Sequence, residues 1–235
     1  MSKGMGSQKG LSTNGLVMPS DFPIGPYEAV HARLPKDHPE NTYYREHAGA
    51  WNAVAHRFLA AAQYSEDFTA SIRQTAGSAS VEARHHQEKS LFGFFTNSLS
   101  AIEATFYGLF AMGGFLNSGF FPMTTPEDQQ NVTPRNTFTT YGKAFPGDPI
   151  LIILGAVLKD SAYQELKQIR NVLAHRTAPG RQIYLTVGDS EPIAEEWKLF
   201  NIPLDDNLTV RRRAQLARLL MNLLGGAEIF TETRF

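Results

Sequence analysis

The chain has no cysteine among its 235 residues. That excludes disulfides, thiol nucleophiles and cysteine-held zinc, and it fits a reducing compartment. An excess of either charge is also lacking: 22 Lys and Arg stand against 23 Asp and Glu, for a formal net charge of −1. Global charge therefore does not mark a nucleic-acid binder, and any RNA contact must come from a local patch. The opening stretch MSKGMGSQKGLSTNG has no apolar core of the kind that a signal peptide carries. No apolar run is both long and clean. The most apolar segment, Leu91 to Phe121, is interrupted by Asn97, Ser98, Ser100, Glu103 and Asn117, and PILIILGAVL from Pro149 is too short to span a bilayer. A soluble, cytoplasmic protein with no membrane partner is expected. There is no Gly-rich phosphate loop or nucleophile motif to support a small-molecule enzyme, and no H-E-x-x-H pattern.

What is present is a globular composition, 42% hydrophobic and 19% charged, enough for one sizeable core. Residues 1–37 mix Gly, Pro and Ser irregularly and read as a flexible tail and loop, leaving 38–235 as the folded domain. A long helix is expected from about Asn41 to Thr75–Ser78, near Gly77, with Tyr44, Trp51, Ala55, Phe58 and Ala62 as its apolar stripe. A second should start at Ser80 as N-cap and turn apolar on nearly every side from Leu91, which belongs in the middle of a bundle. Gly113 and Gly114 would mark its fraying end. A long loop over 117–135 precedes two shorter helices near 134–145 and 148–159. A helix over 161–176 follows, capped by Ser161 with Gln164 completing a weak capping box. The runs QIYLTV and EEWKLFNI, joined by GDSEPIA, read as a β-hairpin inserted at 178–203. A final helix begins near Asn207 or Thr209, with Leu216, Leu220, Leu223, Ala227 and Phe230 inward. The fold class is all-α: a helical bundle of two long helices, shorter helices, a small β insertion and a closing helix.

The most informative segment is QIRNVLAHR, Gln168 to Arg176, at the end of the 161–176 helix. Tyr163, Leu166, Ile169, Val172 and Leu173 make its apolar face. Asn171 and His175, four apart, share the opposite side, while Arg170 lies about 140° from His175 in an ideal helix. The two converge only if the last turn distorts, if the arginine side chain curls around, or if a second copy of the helix faces this one. The residue types suit cleavage of RNA by its own 2′-hydroxyl. Histidine titrates near neutrality and serves as base or acid. Arginine is permanently charged and forks onto phosphate oxygens, and asparagine can orient either. No metal or other cofactor is needed. The plainer alternative is a solvated face closing a helix, where the dipole favours cations. Arg-x4-His is weak by itself, because Arg33 and His38 repeat it without the asparagine.

Arg170-Asn171-x-x-x-His175, preceded by LKQI and followed by Arg176, resembles the signature of the HEPN superfamily, and the two long helices before it resemble that family's layout. The resemblance covers about residues 41–235 and implies a helical bundle of the HEPN type. Many members are metal-independent endoribonucleases of toxin–antitoxin and antiviral defence systems, with two motifs completing one cleft in a homodimer. Others are non-catalytic modules that bind a protein or nucleotide. Carried over by position, Arg170 and His175 would be catalytic, and Asn171 would support them. The implied partners are RNA, a second copy of the chain, and a cognate antitoxin or regulatory protein. The β insertion departs from a minimal domain of this type. Glu103, within the most apolar helix, resembles the family's acidic residue near the motif. It would pair with Arg170 or His175, or else form a structural ion pair. Arg176 extends the motif. Arg211, Arg212 and Arg213 open the last helix, where the dipole disfavours them, and read either as a charged turn or as an RNA-contacting patch. His85 and His86 are about 100° apart and cannot ligate from one face. His47 reads as a partly buried core histidine.

Overall fold

A computed structural model describes residues 12–13, 15–34, 41–75, 80–176, 178–185 and 192–235. The chain is mostly helical with a small antiparallel sheet before the last helix, as expected, and, against the expected tail, a two-residue ladder near the N-terminus. The order is β1 (Ser12–Thr13), β2 (Leu16–Val17), α1 (Ile24–Arg33), α2 (Thr42–Gln74), α3 (Val81–Leu116), α4 (Pro126–Gln130), α5 (Pro134–Ala144), α6 (Ile150–Lys159), α7 (Ser161–His175), β3 (Arg181–Leu185), β4 (Pro192–Leu199), β5 (Ile202–Pro203) and α8 (Leu208–Arg234).

The centre is the antiparallel pair α2 and α3. Asn41 caps α2 by accepting from the Tyr43 amide at 2.9 Å, and Ser80 caps α3 by accepting from Ala83 at 3.2 Å. From Leu91 to Gly114, α3 is buried almost all round. Its length and apolarity would suffice to cross a membrane, but 72% of that window is buried inside the fold. Glycines make the close approach possible. A Cβ on Gly93 would fall 2.7 Å from the Tyr64 ring, and one on Gly108 would fall 2.9 Å from Trp51. Gly114 receives the Tyr43 ring in the same way, and Gly113 receives Phe121. Gly113 and Gly114 are thus ring seats inside a helix that continues to Leu116, and not its frayed end. The α2 stripe is buried at Trp51, Ala55, Phe58 and Ala62.

His47 of α2 is 1% exposed and stacks on Trp51, with ring centroids 4.5 Å apart. Its Nδ1 lies 3.0 Å from the Gly108 carbonyl oxygen, which only accepts, so Nδ1 carries the proton. Nε2 has no hydrogen-bond partner among the described residues. A proton there would be a buried, unpaired charge. Burial therefore pushes the histidine down to about 4, against the opposing pull of the Gly108 carbonyl.

The expectation of tail and loop up to residue 37 fails for 24–33, which form α1. Gly25 and Pro26 read as helix breakers. They sit in the first turn, where a missing amide proton has no intrahelical partner to lose. Tyr27 donates its hydroxyl to the Trp51 carbonyl at 3.1 Å, and the Trp51 indole donates to the Tyr27 carbonyl at 3.0 Å. Met18, Phe22 and Val30 are buried in the same core. Residues 1–11, His38, Gly77 and the hairpin turn at 186–191 lie outside the described residues.

α4 interrupts the expected long loop, held by a capping box between Thr125 and Asp128. α5 and α6 fall where the sequence places them. The hairpin forms antiparallel, with Arg181 opposite Trp197. It is pinned by Trp197, whose indole donates to the Pro179 carbonyl at 3.1 Å and whose ring lies 5.9 Å from that of Phe68 on α2. α8 buries Leu216, Leu220, Leu223, Ala227 and Phe230 and closes the bundle.

Two outcomes test this packing. Gly113→Ala places a methyl 2.5 Å from the Phe121 ring and should cost about 1–3 kcal/mol in urea unfolding. Part of that should return in Gly113→Ala/Phe121→Leu, whereas an unchanged midpoint in the single variant would show that the ring is not seated there. His47 stays neutral in the fold while the unfolded chain takes a proton, so its contribution is full above about 6.5 and is lost as pH falls to about 4. In that window it adds a slope of about 1.4 kcal/mol per pH unit. His47→Gln can still donate to Gly108 but does not titrate, and its unfolding free energy should lack that slope.

Candidate functional site

α7 carries the Arg-Asn-His segment and lies against α3 and α8. Its N-cap is Asp160, which accepts from the Ala162 amide at 2.9 Å; the expected cap, Ser161, is the first helical residue. Gln164 does not complete a capping box but reaches back to the Leu158 carbonyl at 2.6 Å. An aspartate two residues before Ala162 accepts its amide and also favours the helix dipole, which a serine one residue later cannot do as well. Tyr163, Leu166, Ile169 and Val172 are buried as the face count requires.

The helix stays regular to His175, and the Arg176 amide still bonds the Val172 carbonyl at 3.0 Å. Distortion of the last turn therefore does not bring Arg170 to His175. Arg170 turns instead to α3, where its Nη2 lies 3.3 Å from Glu103 Oε1. The two side chains are 25% and 39% exposed, so this pair faces solvent at one edge. Asn171 is half-buried, while His175 and Arg176 are exposed at the helix end. The side chains of His175 and Arg176 have no hydrogen bond or ion pair among the described residues. One chain thus joins Arg170 to Glu103 and leaves His175 apart from both.

Two clefts flank the pair and share Thr133 and Pro134 at the start of α5. The first, about 540 Å³, lies between α2, α3 and α5, with Glu103, Glu46, Arg57 and Tyr107 in its walls. Tyr107 donates to Glu46 at 2.7 Å, and burial together with that carboxylate raises its phenol far above the ordinary value. The second, about 640 Å³, lies between α5, α6 and α7 and is lined by Arg135, Lys159, Lys167, Phe138 and Tyr163. Burial raises the Tyr163 phenol, Glu103 raises it further, and Arg170 opposes them. Lys167 stands one turn before Arg170 in the sequence, but Arg135 and Lys159 join it only through tertiary structure. No single-segment pattern could have found them.

Arg211, Arg212 and Arg213 do not share a surface. Arg211 meets Asp205 at 3.0 Å, Arg212 meets Glu165 of α7, and Arg213 is held by Asp21 at 2.7 Å and Glu66 at 3.1 Å. Their charges are compensated within the chain, which weighs against a common phosphate-binding patch. His56, His85 and His86 are exposed on α2 and α3, and His47 is buried. Among the described residues no group of three or more His, Asp or Glu is placed to hold a metal ion.

Compared with known proteins, the chain matches no family model, no curated protein and no solved structure.

Because the Glu103–Arg170 pair is partly exposed, solvent screens it. A double-mutant cycle with Glu103→Gln and Arg170→Gln should give a coupling of at most about 1 kcal/mol. A coupling several-fold larger, read from urea unfolding, would mean that the pair is a buried structural bridge.

Proposed function

We propose that this chain is a HEPN-type, metal-independent endoribonuclease whose active site is completed across a homodimer, acting in the cytoplasm in a toxin–antitoxin or defence setting. The observation that carries the reading is the Glu103–Arg170 pair at 3.3 Å, open to solvent, with His175 exposed at the end of the same helix. A motif arginine oriented by an acid from a preceding long helix is what the resemblance in Arg170-Asn171-x-x-x-His175 implies. The regular helix end leaves Arg170 and His175 too far apart in angle to serve one phosphate from one chain. A two-fold axis beside the end of α7 supplies the missing partner.

In this reading His175 removes the proton from an RNA 2′-hydroxyl. The 2′-oxygen bonds to phosphorus, the bond from phosphorus to the 5′-oxygen breaks, and the leaving oxygen takes a proton from the second copy's histidine. Arg170 stabilises the charge growing on the non-bridging oxygens, Glu103 positions Arg170, and Asn171 orients the phosphate. Arg176 adds positive charge at the mouth. The products are a 2′,3′-cyclic phosphate and a free 5′-hydroxyl. An antitoxin or other regulatory protein would act by covering this end of α7.

A second reading is a non-catalytic scaffold of the same type that binds a protein or nucleotide. Its specific support is that Arg170 already has a carboxylate partner, which would make the arginine structural.

Cleavage of single-stranded RNA in EDTA separates the two. Wild type should release fragments ending in cyclic phosphate, and Arg170→Ala and His175→Ala should each be slower by ~10²–10⁴-fold. Glu103→Gln, which keeps the shape but loses the charge, should fall between. Equal rates in all four proteins would reject the assigned roles. No cleavage of any RNA by wild type would leave the scaffold.

A further inference from the structure

The cleft between α5, α6 and α7 is lined by cations without acids. Arg135, Lys159 and Lys167 border its hollow of about 640 Å³, and among the described residues no carboxylate lines it. The side chains of these three residues make no hydrogen bond or ion pair with any described residue. The contrast with α8 is plain. There Arg211, Arg212, Arg213, Arg218 and Arg234 each sit against a carboxylate. The acids nearest the cleft in sequence are engaged elsewhere. Asp160, next to Lys159, receives Arg218 on both oxygens and caps α7. Glu165 holds Arg212, and Glu103 holds Arg170. Three uncompensated cations around one hollow raise its potential in a chain whose net charge is −1.

The rest of the lining is flat and apolar. Phe138 is half-buried against α6, and a Cβ on Gly155 would come within 3.3 Å of its ring, so the glycine lets the ring lie close while one side stays open. Leu158 and the edge of Tyr163 extend that surface. Thr133 and Pro134 place the N-terminus of α5, with its partial positive charge, at the mouth. Cations that track a backbone beside an aromatic face on which a base can stack are the chemistry of single-stranded nucleic-acid binding. A duplex keeps its bases stacked inside and cannot use the ring.

We propose that this cleft binds one nucleotide of a single-stranded RNA, with phosphate on Arg135, Lys159 and Lys167 and the base against Phe138. The strand then runs along α7 from Lys167 to the motif one turn on. That onward path rests on the nuclease reading above, whereas the binding does not. A free nucleotide offers the same phosphate and base, so the test distinguishes the two sources.

The test uses the full chain and a short fluorescein-labelled single-stranded RNA with 2′-O-methyl riboses, which has no 2′-hydroxyl to attack. Fluorescence anisotropy is read at several salt concentrations. Lys159→Glu/Lys167→Glu should weaken binding by at least ~10-fold and lower the slope of log K against log salt by up to about 0.7, the share of the one phosphate that the cleft holds. Lys89→Glu/Lys143→Glu makes the same charge change outside the cleft and should leave the slope nearly unchanged. Unchanged binding in the cleft variant, or an equal loss in the charge-matched control, overturns the proposal. So does an oligonucleotide that fails to bind while adenosine monophosphate binds, which would assign the cleft to a free nucleotide. A wild type that binds through the cleft but cuts no RNA removes the nuclease reading and keeps the cleft. Equal RNA cleavage by wild type and by Lys159→Glu/Lys167→Glu overturns the onward path from the cleft to the motif.

Discussion

The seating of aromatic rings on the glycines of α3 is the constraint on which the rest of the structure depends. Tyr43, Trp51 and Tyr64 of α2 lie against Gly114, Gly108 and Gly93 of α3, in descending order along one helix as they ascend the other. That pairing fixes the antiparallel register and brings the two axes closer than side chains of ordinary size allow. Close packing of this kind tolerates little change in volume. With α3 locked against α2, its remaining faces receive α5, α7 and α8 at set heights. Glu103 meets Arg170 because both helices are held in that frame.

The electrostatics follow from the same frame. A chain with nearly balanced charge can still present a cationic surface if its acids are used up internally. α8 does this on one side, where its arginines tie down Asp21, Glu66, Asp148, Asp160, Glu165 and Asp205. Most of these pairs are partly covered at one or both partners and still touch solvent, so each adds modest stability. Their effect is on the distribution of charge, because the carboxylates they hold are unavailable to Arg135, Lys159 and Lys167. The start and middle of α7 line that cleft through Tyr163, Gln164 and Lys167, and beyond them Arg170 meets Glu103 while His175 is exposed.

Elements whose signal is local were legible. Asn41 and Ser80 announce the starts of α2 and α3, and the stripe Leu216, Leu220, Leu223, Ala227 and Phe230 announces the buried face of α8. The hairpin follows from two β-prone runs, and its strands pair as the runs suggest. The Glu103–Arg170 contact is one of the two pairings that the resemblance implies for that carboxylate, although the side chain is part-exposed and not buried. Misreadings came where one residue type serves two purposes. Gly25 and Pro26 look like loop residues but occupy the first turn of α1, and Gly113 and Gly114 look like a helix end but hold rings. Arg211, Arg212 and Arg213 read as either a charged turn or a patch, and helical geometry sends successive side chains about 100° apart, each to its own acid.

By itself the sequence determined the helical class, most helix boundaries, and the residues on each face of α7, because caps and apolar periodicity act within a few residues. It also limited the reach of Arg170 and His175 toward each other, since both ride on one regular helix. Only the tertiary structure decided which acid Arg170 meets, which arginines are neutralised, and that Arg135, Lys159 and Lys167 share one hollow. Those are contacts between segments far apart in the chain. Their partners are chosen by how α3 packs, and no local pattern encodes that choice.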